Sequence, residues 1–369
     1  MSTYPYLKIK EDIKKRILEG EWLGDTRLPS SRDFADSYRS SVNTVEKAIK
    51  ELCAEGLLKR DSRRGTFIET GVLSLKGMNR SGLVAASVIG IDNPLWATAL
   101  RGIQDVLNVH GYHLLSYSDD RSLDKLEALV KSAVAKRMDG VILSPIFDWS
   151  HGERNQQLYD LLRNNGIKVV FLDRHFYNSD IPFVTSDNVA GAYKLTKMLI
   201  DKGHRRILFI RNSDLSTLNE RLLGMRQAFL DSGLPFDPEL DVLIPSEFEN
   251  FSDEFDSFSD RLAEVIRKLP CTAIFTANDQ IAEAAITVLD RLNLRIPDDL
   301  SLVTYDARNL NLKYKLDVTG VNQPFYDMGR TAALQLMNLL DSKEHLYVLG
   351  QICQAEINYG TSIGKAREL

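Results

Sequence analysis

The chain has 369 residues, more than one ordinary hydrophobic core accommodates, so we expect at least two domains. Hydrophobic residues make up 44% and charged residues 26%, which is ordinary globular composition, and no run of 18 apolar residues predicts a membrane span. Three scattered cysteines and an N-terminus without a signal-peptide pattern argue against a disulfide-stabilised secreted protein and predict a cytoplasmic one.

The charge is unevenly distributed along the chain. A net charge of −5 by itself argues against nucleic-acid binding. Residues 1–68, however, hold 14 Lys and Arg against 11 Asp and Glu, while the rest of the chain holds 32 against 40. A mildly basic N-terminal region on an acidic body is a weak indication that this region contacts DNA.

The N-terminal region begins with two predicted helices. Residues 6–17 carry apolar side chains at helical spacing, and Gly20 follows at a position suited to ending a helix. Ser30 and Asp33 have the spacing of a capping box, so a second helix is predicted to begin there.

The third predicted helix, residues 40–55, has two faces of opposite character and is followed by Gly56. Apolar residues share one side at spacings of three and four: Val42, Val45, Ile49 and Leu52. The other side carries an amide, a hydroxyl and a cation, in Asn43, Thr44 and Lys47, which can contact base edges and phosphates.

Two short strands, residues 57–60 and 65–68, are predicted to follow this helix. Together with the helices they make a winged helix-turn-helix, so we expect a DNA-binding domain over residues 1–68. Residues 69–81 contain two glycines and show no sustained period, which is typical of a linker.

The motifs LPSSR (28–32), AEGLL (54–58) and RGTF (64–67), together with the third helix, resemble the DNA-binding domain of the GntR family. The resemblance implies DNA contacts from the second helix, the third helix and the wing: Arg32, Asn43, Thr44, Lys47, Arg63, Arg64, Gly65 and Thr66. Glu46 departs from the family pattern, which often has an arginine there. An acid at this position could accept a hydrogen bond from cytosine or face solvent.

Residues 82–369 alternate between apolar strands and helical patterns, and the alternation restarts near residue 189. This pattern predicts an α/β body of two doubly wound parallel-sheet subdomains with a cleft between them. Ligands of such sheets bind beyond the carboxyl ends of the strands. Residues that follow predicted strands are Asp92, Asn93, Trp96, Phe147, Asp148, Asp173, Arg174, Asn278, Asp279 and Asp306.

These side chains suit a small polyhydroxylated ligand, because acids and amides hydrogen-bond hydroxyl groups and an aromatic face stacks on a sugar ring. Alternatives remain for two of them. Trp96 could belong to the core, and Asp279 could cap a helix, which we favour over a ligand contact. Asp187 and Asn188 are predicted to cap the helix that follows them.

The motifs DGVILSP (139–145), KGHRRI (202–207) and AND (277–279), with several others in order, resemble the effector domain of LacI/GalR regulators. That family has the type I periplasmic-binding-protein fold. The resemblance implies sugar contacts from Asp92, Asp173 or Arg174, Arg221, Asn278 and Asp306. It also implies that residues 82–369 form a homodimer and that the chain crosses between subdomains near 186, within 306–322 and near 343.

A GntR-type head on a LacI-type body resembles the arabinose-repressor subclass of bacterial regulators. The sequence therefore predicts a homodimeric repressor of carbohydrate-utilisation genes that leaves a palindromic double-stranded DNA operator when a monosaccharide binds. An arabinose-like pentose and a deoxyhexose such as fucose both fit. Activation instead of repression, and a nucleoside as effector, remain alternatives.

Catalysis is not expected. The sequence contains no GxSxG, P-loop, HExxH or post-strand GxGxxG motif, and no Cys/His cluster, so we expect no cofactor and no metal. A sugar-processing enzyme with a DNA-binding head is the distant alternative, since it would need a carboxylate pair whose separation a sequence does not reveal.

Overall fold

A computed structural model of the protein describes residues 5–18, 27–54, 57–61, 64–68, 80–146, 152–246, 251–307, 310, 316–341 and 348–368. Several positions discussed above lie outside the described residues: Gly20, Gly56, Arg63, Phe147, Asp148 and residues 69–79 of the predicted linker. Within the described residues, no helix is both long enough and apolar enough to cross a bilayer.

The N-terminal region folds as the predicted winged helix-turn-helix. Its elements are α1 (Pro5–Leu18), α2 (Ser31–Ser37), α3 (Val42–Ala54), β1 (Leu58–Asp61) and β2 (Gly65–Ile68). Ser30 and Asp33 form the predicted capping box at the start of α2. The strands pair antiparallel, with Leu58 opposite Ile68.

Helix α3 shows the two predicted faces, with one difference. Val45, Ile49 and Leu52 are buried in the core of this head against α1 and α2. Val42, the first residue of the helix, is 40% exposed, and Ala48 is buried instead. The apolar side of the helix is thus shifted by part of a turn, and the N-terminal end of α3 remains on the surface.

The first subdomain of the body has a six-stranded sheet in the order β13-β7-β6-β5-β3-β4, with parallel neighbours throughout. Its strands are β3 (Leu83–Val88), β4 (His113–Ser118), β5 (Gly140–Leu143), β6 (Lys168–Leu172), β7 (Phe183–Ser186) and β13 (Gly350–Cys353). Its helices are α4 (Pro94–Val109), α5 (Leu123–Ala135), α6 (Gly152–Asn164) and α11 (Phe325–Asp341). Alternate residues of β3 enter two separate cores, one with α4 and α11 and one with α5 and α6.

The second subdomain repeats this arrangement in a six-stranded sheet of order β14-β12-β11-β10-β8-β9. Its strands are β8 (Ile207–Arg211), β9 (Asp241–Leu243), β10 (Ala273–Thr276), β11 (Ser301–Tyr305), β12 (Thr319–Asn322) and β14 (Glu356–Asn358). Its helices are α7 (Asn188–Asp201), α8 (Ser216–Asp231), α9 (Phe251–Lys268) and α10 (Asp279–Arg291). Strand β14 pairs antiparallel with β12, and the other neighbours are parallel.

The chain crosses between the two sheets after β7, after β12 and after β13. The third crossing therefore follows Cys353, and the prediction that it lies near 343 is wrong. Helix α11 first returns the chain to the first subdomain, and β13 then pairs in parallel with β7. Strands of three or four residues such as β13 and β14 are too short to show a clear period in the sequence.

Candidate ligand-binding and DNA-contacting sites

A cavity of about 490 Å³ is lined by residues at the carboxyl ends of strands from both subdomains. Most of the predicted ligand contacts line this cavity: Asp92, Trp96, Asp173, Arg174, Arg221, Asn278 and Asp306. Residues distant in the sequence thus meet in one cleft, as expected for ligand sites of open parallel sheets. Contact of each residue with a ligand stays a prediction.

The loop after β3 forms one edge of the cavity. Asn93 caps α4, because its Oδ1 accepts a hydrogen bond from the Leu95 amide at 2.9 Å. Trp96 lies in the first turn of this helix, is 6% exposed, and packs edge-to-face on Phe325 with ring centroids 5.1 Å apart. Trp96 therefore belongs to the core and also lines the cavity, so the two alternatives for this residue are compatible.

Asp173 and Arg174 follow β6 and are both largely withdrawn from solvent. Asp173 has a backbone φ of +70°, and its Oδ1 is buried without a hydrogen-bond partner among the described residues. Its Oδ2 lies 3.6 Å from Arg174 Nε. Burial raises the pKa of the Asp173 carboxyl and lowers the pKa of Arg174 to about 10. A ligand with hydroxyl groups would supply donors that Asp173 lacks.

Arg221 lies on α8 and lines the cleft. Its Nε donates to Asn188 Oδ1 at 2.9 Å, its Nη1 donates to the Ala277 carbonyl, and its guanidinium lies 3.8 Å above the Tyr305 ring. Only 3% of the residue is exposed. Contacts on several sides hold the group in one orientation, so it could recognise a ligand with little loss of side-chain entropy.

Asp279, which is half-buried, and Asp306, which is buried, form a pair of neighbouring acids on the second subdomain. Asn278 is the N-cap of α10, through a 2.9 Å hydrogen bond from the Ile281 amide to its Oδ1. The favoured prediction that Asp279 caps this helix is therefore wrong: Asp279 is the first helical residue and lines the cavity. Burial raises the pKa of both carboxyls, and repulsion between them adds to this for Asp279.

The connections between the subdomains meet beside this pair. Asp187 caps α7 by accepting from the Ala190 amide at 3.0 Å, as predicted, whereas Asn188 is the first residue of the helix and does not cap it. Ser186 donates to Gln323 Oε1 at 2.6 Å, and Gln323 Nε2 donates to Asp306 Oδ2 at 2.8 Å. The first two crossings are thus hydrogen-bonded to each other and to the cavity wall.

Several cavity residues were not predicted. They are Ile89, Gly90, Leu95, Asp120, Arg121, Lys125, Leu215, Thr217, Leu218, Gln280, Gln323 and Phe325. The sequence pattern predicts a strand over residues 112–116, whereas β4 runs to Ser118, and none of the residues that follow it was predicted to line the cavity. Gln323 and Phe325 follow β12, which was not predicted as a strand.

Most of the predicted DNA contacts within the described residues are on the surface of the head. Arg32, Asn43, Lys47 and Arg64 are exposed, and Thr44 is half-buried with its hydroxyl 2.7 Å from Ser41 Oγ. The side chain of Thr66 differs, because it is only 9% exposed.

In the wing, the backbone of Thr66 forms a hydrogen bond and the backbone of Gly65 has a positive φ. The Thr66 carbonyl accepts a hydrogen bond from the Leu28 amide at 2.9 Å. Gly65 has a φ of +107°, which favours glycine at this turn. A DNA contact from either residue would therefore involve the backbone more than a side chain.

Glu46 makes two contacts inside the head. Its Oε1 accepts hydrogen bonds from Arg60 Nη2 at 2.8 Å and from Ser31 Oγ. These bonds lower the pKa of Glu46, with the Arg60 bond the larger cause. The two predicted alternatives for Glu46 were a contact with cytosine and exposure to solvent. Neither of them includes these hydrogen bonds to Arg60 and Ser31.

Comparisons with known proteins agree with this architecture. The family model of bacterial regulatory proteins, gntR family, matches residues 5–68, and the model of a periplasmic binding protein-like domain matches residues 196–349. The arabinose metabolism transcriptional repressor of Halalkalibacterium halodurans is 27% identical over 344 residues, covering 92% of this chain and 90% of that protein. The repressor of the same description from Geobacillus stearothermophilus is 26% identical, covering 92% of each chain.

Solved structures share the fold of the body. A putative ribose operon repressor from Burkholderia thailandensis is 26% identical with a TM-score of 0.64, covering 76% of this chain and 100% of that one. The transcription regulator CcpA of Lactococcus lactis has a TM-score of 0.66 at 23% identity, covering 76% of this chain and 98% of that one, which shows a common fold.

Proposed function

Because the chain joins a gntR-type DNA-binding domain to a periplasmic-binding-protein-like domain, we propose that it is a sugar-responsive repressor of carbohydrate-utilisation genes. In this proposal residues 1–68 bind operator DNA, residues 69–81 link the domains, and residues 82–369 bind the effector and form a homodimer. The protein would act in the cytoplasm, where the operator is.

The composition of the cleft carries this proposal. Asp92, Asn278 and Asp306 offer carboxylate and amide groups to hydroxyls, and Arg221 is oriented toward the same space. Trp96 adds an aromatic surface of the kind that packs on sugar rings. Both subdomains contribute, so one small ligand could bridge them and stabilise a closed arrangement.

Effector binding would reach DNA through the relative position of the two heads of a dimer. A two-fold symmetric dimer reads a palindromic operator, and a change in the spacing of its heads weakens both half-site contacts. Coupling free energies of about 1–3 kcal/mol are usual for one ligand. A dimer binds two ligands, so its total coupling free energy is larger than that of one ligand. It comes nearer the roughly 5.5 kcal/mol that a 10⁴-fold shift between the DNA-binding and the released state requires.

We propose regulation without turnover. The relatives that match this chain over about nine-tenths of its length are named as transcriptional repressors. In the cleft, Asp173, Arg221 and Asp306 are groups that can bind a sugar reversibly, and binding alone accounts for their arrangement.

A thermal-shift screen of the full chain with L-arabinose, D-ribose, L-fucose, their epimers and nucleosides tests the proposal. We expect a saturating shift with one sugar and none with its epimers. The same sugar should weaken binding to a palindromic duplex selected from a random pool. A sugar that strengthens DNA binding would favour activation, a nucleoside response would change the ligand class, and conversion of the sugar to a product would favour the enzyme alternative.

A further inference from the structure

Two arginines of the first subdomain line the cavity close to each other. Arg121 follows β4, with a φ of +61°, and Arg174 follows β6. The positive charge of Arg121 contributes to the lowered pKa of Arg174, after the larger effect of burial, so the two guanidinium groups are close enough to repel. They belong to different loops that meet at the same end of the sheet.

Neither guanidinium group is hydrogen-bonded among the residues that the structure describes. The Nε atoms of Arg121 and Arg174 are both buried without a partner. The nearest acid to Arg174 Nε is Asp173 Oδ2 at 3.6 Å, which is longer than a hydrogen bond.

Asp119, the acid that interacts electrostatically with Arg121, accepts hydrogen bonds from other groups. Asp119 Oδ2 accepts from Ser87 Oγ at 2.7 Å, and Asp119 Oδ1 accepts from the backbone amide of Arg121 at 2.9 Å. Lys125, on the same side of the cavity, differs from the two arginines because it forms an ion pair with Asp120. Of these three cations, Arg121 and Arg174 are therefore the two with a buried nitrogen that lacks a hydrogen-bond partner among the described residues.

A buried guanidinium N–H without a hydrogen-bond acceptor is costly in such a position. Burial lowers the pKa of both arginines, which means that their charged forms are destabilised there. A planar guanidinium donates paired hydrogen bonds most favourably to a carboxylate or a phosphate, and a negative charge also offsets the repulsion between two cations. A neutral hydroxyl supplies an acceptor without that charge.

We propose that the effector carries an anionic group, a carboxylate or a phosphate, that binds Arg121 and Arg174. The effector is then an acidic or phosphorylated sugar, and Asp173 and Asp306 remain available for its hydroxyl groups. This inference rests on the proposed function of the cleft as the effector site.

Matched pairs of compounds test it by thermal shift and calorimetry on the full chain. The pairs are D-galactose with D-galacturonate, D-glucose with D-glucuronate and D-glucose 6-phosphate, and D-arabinose with D-arabinose 5-phosphate. We expect an acidic member to bind at least about tenfold tighter than its neutral partner, because hydrogen bonds between charged groups are stronger than those to a neutral hydroxyl. The response to uronates against sugar phosphates identifies which anion is recognised.

Variants then assign the residues. Arg121→Met should weaken binding of the acidic sugar roughly ten- to hundredfold, and Arg121→Lys should retain part of the affinity. Arg163→Met is the control, because Arg163 is an arginine of the same subdomain that pairs with Asp180 and does not line the cavity. Should Arg121→Met fail to fold, Arg121→Lys and Arg174→Lys decide the question.

The outcomes separate this inference from the proposed function. Neutral sugars that bind as tightly as their acidic partners would overturn the anionic effector and leave a sugar-responsive regulator. If the affinity for acidic sugars is unchanged in the Arg121 variants and in Arg174→Lys, the assignment of the anionic group to these two arginines is overturned. Absence of any response to either series would count against the effector site and the anionic group together.

Discussion

Glu46 Oε1 accepts a hydrogen bond from Arg60 Nη2 at 2.8 Å, which joins helix α3 to the wing strand β1. Ser31 of α2 donates to the same oxygen. One carboxylate thus holds together three elements on the part of the head that is proposed to face DNA. An arginine at position 46 would place a cation beside Arg60 and lose both contacts.

We expect Glu46 and Arg60 to act as a coupled pair in the stability of the head. Glu46→Gln and Arg60→Gln should each destabilise it by about 0.2–1 kcal/mol, because both side chains are partly exposed. The double variant should be no less stable than the worse single variant. Hydrogen exchange of α3 amides in the full chain measures this, and additive effects would contradict the coupling.

The pH dependence of this pair has a defined sign. Since its folded pKa is lowered, Glu46 stabilises the head above its ordinary pKa near 4.5, and this contribution is lost as the pH falls through the lower folded value. The wild-type head should therefore lose more stability than Glu46→Gln when the solution is acidified below about pH 4.5.

Lys47 is the cation of α3 that we expect to contact a DNA phosphate. Its Nζ lies 3.9 Å from the centroid of the Tyr6 ring, so a cation–π contact holds this charge against α1. Lys47→Ala should weaken binding to all duplexes and reduce the salt-dependence slope by about 1. Lys8→Ala, which removes an exposed charge from α1, is the control for net charge. Equal slopes for the wild type and Lys47→Ala in anisotropy titrations would refute the contact.

Asp306→Asn should separate stability from effector binding. Burial raises the pKa of Asp306, so its charge destabilises the folded protein at neutral pH. The variant should be more stable at pH 7 by roughly 1 kcal/mol, yet bind the effector about tenfold more weakly or worse. Denaturant unfolding and calorimetry measure the two effects.

The pH profile provides a further check on Asp306. In the unfolded chain the Asp306 carboxyl loses its proton above its ordinary pKa of 3.8, whereas in the folded protein the raised pKa keeps it protonated to higher pH. The contribution of Asp306 to stability therefore falls as the pH rises from about 4 toward neutrality. Asp306→Asn should reduce that fall. Asp299→Asn is the opposite control, because Arg295 and Arg367 lower the pKa of Asp299 and its removal should destabilise the protein at neutral pH.

The periodicity of long elements made much of this fold predictable. The sequence pattern predicts strands over residues 207–211, 273–276 and 301–305, and β8, β10 and β11 have these bounds, because each is a continuous apolar segment between amphipathic helices. Strand β7 was missed, since Phe183–Ser186 is short and lies close after β6. The edges of the sheets and the third crossing depend on pairing between residues far apart in the sequence, which local patterns do not show.

The cavity was predictable where a residue directly follows a recognisable strand, as for Asp173 after β6. Arg121 was missed because it lies at a positive φ in the polar turn between β4 and α5, and the local pattern does not indicate which residues of that turn line the cavity. The contact between Glu46 and Arg60 was also unpredictable, since it depends on how α3 packs against the wing. Side-chain partners across elements are a property of tertiary packing, so a single sequence leaves them open.

One helix connects the cavity with the end of the predicted linker. Phe325, the first residue of α11, lines the cavity, and the 17 residues of the helix span about 25 Å. At its other end, the Leu340 carbonyl and Asp341 Oδ1, the latter at 3.0 Å, accept hydrogen bonds from Arg80. Arg80 also donates to the Tyr112 hydroxyl at 3.0 Å. Movement of α11 relative to β4 would therefore act on the point where the linker joins the body.

We expect Arg80→Ala to uncouple effector binding from DNA release. Loss of these hydrogen bonds leaves the cavity and the head unchanged, so affinities for effector and for operator measured separately should stay within about twofold, while their coupling of about 1–3 kcal/mol should fall. Tyr112→Phe, which removes one acceptor of the same side chain, is the matched control and should lower the coupling less. Operator titrations with and without saturating effector measure it. If Arg80→Ala releases DNA as fully as the wild type, transmission does not pass through this contact, because nothing else in the variant has changed.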